Sequence, residues 1–251
     1  MTEQLNAPAD PPNPINPTNS TDPITLIGTV HLDIEAASNL YELLRPLRPA
    51  CIAVEISAFS VRYRWRMEGR WLKRLAVLSE RLPAASRDHV KLRLLRRQLS
   101  MPFEWVVAER YASENNILII PVDSGEISRR ELPCWNSKLL SEENLRFLVS
   151  TEDESLEAHF SDHYSKAHRL LRQPERISMA YYQLVFDESW CKREELLVRR
   201  VSNLSIRFRP LVYIGGWMHL INLPLQVTLA SRLEKHRIKR FLVTRNKAFK
   251  L

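Results

Sequence analysis

The chain has 251 residues, 45% of them apolar and 26% charged, and this composition suits one packed domain. No run approaches the roughly 18 consecutive apolar residues of a membrane span, and three cysteines (Cys51, Cys134, Cys191) without C-x-x-C spacing argue against a disulfide framework or a structural zinc site. The formal charge is +8, but residues 61–100 carry twelve Lys/Arg against three acids, so the basicity is local and the remainder is close to neutral.

Residues 1–23 hold six of the fifteen prolines among Asn, Thr, Ser and Asp, which predicts a disordered tail rather than a secretory leader. A buried strand is expected over 24–30 and a helix over 34–47, followed by a strand over 51–56. Residues 60–100 read as a helical insertion, then a helix over 103–114 and a strand over 117–122. A second helical insertion spans 136–185, where Thr151 and Glu154 have capping-box spacing and predict a helix running through Phe160 toward Leu171. A helix over 187–204, a strand over 211–214, a helix over 224–236 and a strand over 240–244 complete the pattern. Strands alternate with helices, so the expected fold is a single α/β domain over 24–251, with a central mixed sheet flanked by helices. The location expected is cytoplasmic.

Three features carry chemistry. The first predicted strand ends in Gly28-Thr-Val-His31, which puts a histidine at the carboxyl end of a strand, where ligands gather in open α/β sheets. The last third of the chain repeats this arrangement as Gly216-Trp-Met-His219. Between them, Cys51-Ile-Ala-Val-Glu55 ends a strand in a carboxylate that is costly to bury without a partner. Two imidazoles and a carboxylate make a competent set for a divalent metal. On the predicted 187–204 helix, Glu194 shares the face of Trp190, Leu197, Val201 and Leu204, so it needs an inward partner.

These residues resemble the TraB/PrgY/Tiki family, whose pattern pairs G-T-x-H after the first strand, a glutamate ending the second, and a late G-x-x-H. The resemblance spans roughly 24–222, with support from Arg48-Pro49, Arg62, Phe103-Glu104 and Lys192-Arg193-Glu194. It implies a fold like that of erythromycin-esterase and ChaN-like proteins. It also implies a metal-dependent protease-like activity using His31, His219 and Glu55, with manganese or cobalt as the ion and zinc or iron as alternatives. The chain departs from the family where Asp123 is followed by Ser124 and where Glu194 replaces a common aspartate. Arg193 and Glu194 are expected to steer a metal ligand or pair with Arg62, itself a candidate substrate-binding residue, and Glu194 or Asp123 are candidates for a general base.

Plainer accounts compete. Each histidine could serve a strand-to-helix turn, with glycine present only for φ > 0, and Asp123 could be a turn cap beside Ser124 and Gly125. His159 and His163, four apart with Asp162 between, resemble the H-x-x-E-H of inverzincins or a solvated helix face. The run 61–74 mixes Arg and Lys with Tyr63, Trp65 and Trp71, a mixture suited to nucleic acid, an anionic membrane surface or plain solvation. The function expected first is a metal-dependent hydrolase of a peptide or other amide or ester bond. The rivals are a non-catalytic peptide- or ligand-binding or signalling-inhibitor protein on the same fold, and a basic-patch binder of nucleic acid or an anionic membrane surface through 61–100.

Overall fold

The computed structural model describes residues 23–223, 227–233 and 237–251; the tail expected at the start lies outside them. In chain order the elements are β1 (Ile24–Thr29), α1 (Ala37–Leu47), β2 (Cys51–Val54), α2 (Ala58–Ser79), α3 (Val90–Leu99), α4 (Phe103–Asn115), β3 (Leu118–Pro121), α5 (Gly125–Glu131), α6 (Trp135–Lys138), α7 (Glu142–Val149), α8 (Leu156–Arg172), α9 (Met179–Val185), α10 (Glu188–Arg207), β4 (Leu211–Gly216), α11 (Leu229–Arg232), β5 (Ile238–Val243) and β6 (Ala248–Lys250). The six strands form one mixed sheet in the order β3-β2-β4-β1-β5-β6. The first five run parallel and β6 returns antiparallel to β5.

The three central strands are buried on both faces, which is why their sequences read as continuous apolar runs. Side-chain parity sorts them. Leu26, Ala53 and Tyr213 pack on one face against Phe160 of α8 and Leu197 and Val201 of α10. Ile27, Ile52, Val212 and Ile214 pack on the other against Leu40 and Leu44 of α1 and Trp105 and Ala108 of α4. The insertions join in a smaller core of their own, where Trp71 of α2 meets Trp135 of α6 with ring centroids 5.2 Å apart.

Register sets up the site. Gly28 pairs with Gly215, Thr29 with Gly216 and Val54 with Ile214, so β1, β4 and β2 finish side by side at one rim.

Several local expectations need correction. The helix after 151 does not start at a Thr151 capping box. Ser155 caps α8 by accepting from Ala158 N at 3.0 Å, while Thr151 Oγ1 donates to Leu148 O and Glu154 is engaged by His159. The helix expected over 224–236 is helical only over Leu229–Arg232, and 224–226 and 234–236 lie outside the described residues. β6 was not anticipated, because three edge residues are too few to show a period. No glycine has a positive φ; that conformation is taken by Leu32, Arg48 and Asn116.

Candidate functional site

The two histidine motifs and the strand-end glutamate meet at the rim. His31 follows β1 in a turn. Its Nδ1 lies 2.8 Å from Oε1 of Glu104, and the same oxygen accepts from Thr29 Oγ1 at 2.8 Å. Glu104 is buried in the first turn of α4, so it acts as a fixed anchor. The His31 side chain itself is 55% exposed. A Cβ built on Gly216 would sit 2.7 Å from His31 Nε2, so the glycine gives the ring its space. Gly28 serves close packing as well, because a Cβ there would fall 2.9 Å from Trp217 Cα. Both glycines therefore exist for close approach and not for φ > 0.

The loop that carries His31 is held from below. Leu32 sits at φ 67°, a conformation that costs a bulky side chain energy, and Arg97 Nη1 donates to its carbonyl at 2.8 Å. Buried Asp33 accepts from Arg245 at 3.0 and 2.8 Å and from Tyr164 Oη at 2.7 Å.

Beside His31 runs a chain of alternating charges. His219 bonds Glu194 through Nδ1 and lies 2.9 Å from Glu55 Oε1 through Nε2. Glu55 also accepts from Gly216 N at 2.6 Å, from Tyr213 Oη at 3.3 Å and from the Arg193 guanidinium. Arg193 forks onto Asp123 at 2.9 and 2.8 Å. The Trp190 ring stacks on His219 at 4.9 Å between centroids and 11° between planes, and its Nε1 donates to Val227 O at 2.9 Å. Oε2 of Glu194 is buried with no hydrogen-bond partner among the described residues.

The electrostatics follow from this chain. Burial favours uncharged Glu55, but His219 and Arg193 outweigh it and hold the carboxyl well below the usual range. Burial lowers the pKa of His219, yet Glu55 and Glu194 prevail and raise it to about 10, so the ring is an imidazolium at neutral pH. For His31, loss of solvation lowers the pKa, but Glu104, with Glu55 behind it, brings the net value above 6.5.

A cleft of about 520 Å³ opens onto His31, Glu55 and Arg193, while His219, expected in the same pocket, does not line it. His31, Glu55, Glu104 and Arg193 line it, together with the apolar Ile34, Met101 and Phe103 and with Arg64, Arg96 and Arg97. Arg62 does not line it. One residue pair along α2, Arg64 turns inward to donate to Gln98 O and Ser100 O, while Arg62 faces solvent and has no contact with Arg193 or Glu194. Asp123 Oδ1 accepts from Ser124 N at 2.7 Å, as a turn cap would, and also from Arg193, which ties it to the charge chain. The rings of His159 and His163 lie 4.8 Å apart and are tilted by 57°, and His159 is tied to Glu154.

Glu104 was absent from the site expected from sequence. Its signal was present: a lone carboxylate between buried Phe103 and Trp105, the same kind of sign that singled out Glu194.

The donor set suits a divalent ion in kind, but not in its present arrangement. Both oxygens of Glu55 are engaged, one of them by a guanidinium, and both ring nitrogens of His219 are taken up by carboxylates. Among the described residues, no three His, Cys, Asp or Glu side chains stand as a metal-binding group. No helix among them is long and apolar enough to cross a membrane. Compared with protein-family models, curated proteins and solved structures, the chain matches none.

Proposed function

We propose that this chain is a hydrolase of the TraB/PrgY/Tiki type that cleaves an ester or amide, with His31 as general base toward water. One observation carries the proposal: His31 is fixed through Nδ1 by buried Glu104, while its Nε2 has no partner among the described residues and the ring lines the cleft. An imidazole oriented by a carboxylate, with the second nitrogen free, is the arrangement a general base requires. Nε2 takes a proton from water as the oxygen attacks the carbonyl carbon. Arg193, 28% exposed in the same cleft, offsets the charge that develops on the carbonyl oxygen. The imidazolium then returns its proton to the departing oxygen or nitrogen, releasing an acid and an alcohol or amine.

In this scheme His219 does not touch substrate. It lies 3% exposed between Glu55 and Glu194 and cross-links β4, α10 and the end of β2. Arg193 is thereby held with its charge toward the cleft.

The test is hydrolysis of panels of p-nitrophenyl esters and peptidyl p-nitroanilides. Multiple turnover by the wild type, reduced by 10²-fold or more in His31→Gln, is expected. Turnover that survives His31→Gln would sink the assignment, and saturable binding without turnover would favour the non-catalytic alternative.

A metal-dependent form of the same hydrolysis is the second reading. It is favoured by the carboxylate on Nδ1 of both imidazoles, a common feature of metal-ligating histidines. It requires Arg193 to leave Glu55 and rest on Asp123 alone. Elemental analysis of the purified protein beside a His31→Ala/His219→Ala double variant separates the two forms.

A further inference from the structure

Along α2 the cations fall into two sets. Arg64 turns inward and donates to the main-chain carbonyls of Gln98 and Ser100, and Arg74, though exposed, is tied down by donating to Leu140 O. Arg62, Arg66, Arg70 and Lys73 point outward at helical spacing around Trp65, which is 64% exposed. The only acid of the helix, Glu68, accepts from Met101 N at 3.2 Å and forms no ion pair with these cations among the described residues. At the centre of this face stands Gly69, with nothing within 4 Å of a Cβ built there. Packing within the fold therefore gives no reason for a residue that weakens a helix, whereas close approach of an outside group does.

We infer that this outward face of α2 docks on an anionic phospholipid surface. The helix has 22 residues, enough to lie along an interface. Cations attract the headgroups, an indole is the side chain suited to the boundary between headgroup and acyl chain, and the open glycine lets phosphates reach the helix backbone. Single-stranded nucleic acid fits less well, since successive bases need successive aromatic platforms. Trp65 is the only exposed aromatic ring on α2; Tyr63 is already stacked on Phe59 at 5.3 Å and covered by Arg66 at 5.2 Å.

The experiment is co-sedimentation of the full chain with vesicles of phosphatidylcholine alone or with 30% phosphatidylglycerol, beside a labelled 30-nucleotide DNA in single- and double-stranded form. Binding to the anionic vesicles only is expected, weakened at least tenfold by 0.5 M salt. Each cation removed near such a surface weakens binding about fivefold, so Arg62→Glu/Arg66→Glu/Lys73→Glu lowers affinity by more than 100-fold. Trp65→Ala weakens it at least threefold, with unaltered thermal unfolding in both variants because all four side chains are exposed. Equal binding by the triple variant, equal binding to neutral vesicles, or tighter binding to either DNA than to vesicles overturns the inference. The cleft takes no part in this assay, so its outcome is independent of the hydrolase proposal.

Discussion

Glu194→Gln tests the buried charge chain most directly. In the wild type, His219 moves from an ordinary 6.5 to about 10 on folding, which corresponds to roughly 5 kcal/mol of stabilisation at pH below the unfolded value. Glu55 and Glu194 share that effect, so neutralising Glu194 removes about 2–3 kcal/mol. The glutamine carbonyl still accepts from Nδ1, which limits the loss to charge. For a chain of this size, that lowers Tm by about 4–12 °C. The sign with pH follows from linkage. A histidine whose folded pKa is raised contributes fully below pH 6.5 and loses its contribution as pH rises toward 10. The gap between wild type and Glu194→Gln should be widest near pH 6–6.5 and close toward pH 10. Urea denaturation of both proteins at pH 6, 8 and 10 measures it, and taking the difference cancels other titrating groups. A gap that is constant with pH, or that widens toward pH 10, would refute the assignment of His219 as a cation held by two carboxylates.

Three further outcomes are expected. kcat/KM rises with pH as His31 loses its proton, with a midpoint above 6.5; Glu104→Gln removes the carboxylate that raises His31, so the midpoint moves to lower pH, and a midpoint that stays put refutes the dyad. Gly216→Ala puts a methyl group 2.7 Å from His31 Nε2 and should cut turnover at least tenfold, whereas Gly69→Ala meets open space and should add about 0.5–1 kcal/mol of stability by denaturant unfolding. Dialysis against a chelator should leave turnover within about twofold and thermal unfolding unaltered, since Glu55 is already satisfied by Arg193, His219, Tyr213 and Gly216; loss of both, restored by manganese or cobalt, would establish the metal-dependent reading.

Read alone, the sequence was sufficient for the layered α/β pattern, because β1, β2 and β4 are buried on both faces and must be apolar throughout. It also singled out His31, Glu55, Glu194 and His219, since polar groups at strand ends or on an apolar helix face are conspicuous against what surrounds them, but it did not foretell that His219 lies behind the cleft and not in it. Short elements escaped it: β6 and the true start of α8 depend on pairing and capping that a few residues do not advertise. Only the tertiary structure decided who holds whom. Glu104 reaches His31 from a helix 73 positions away, Arg193 goes to Glu55 and Asp123, Glu194 goes to His219 instead of Arg62, and Arg62 and Arg64 part company by facing opposite sides of one helix. Periodicity reports which side of an element is buried. The partner of a buried charge is fixed by strand order and register, here by β4 entering between β2 and β1 and bringing Gly216 and His219 to the ends of both.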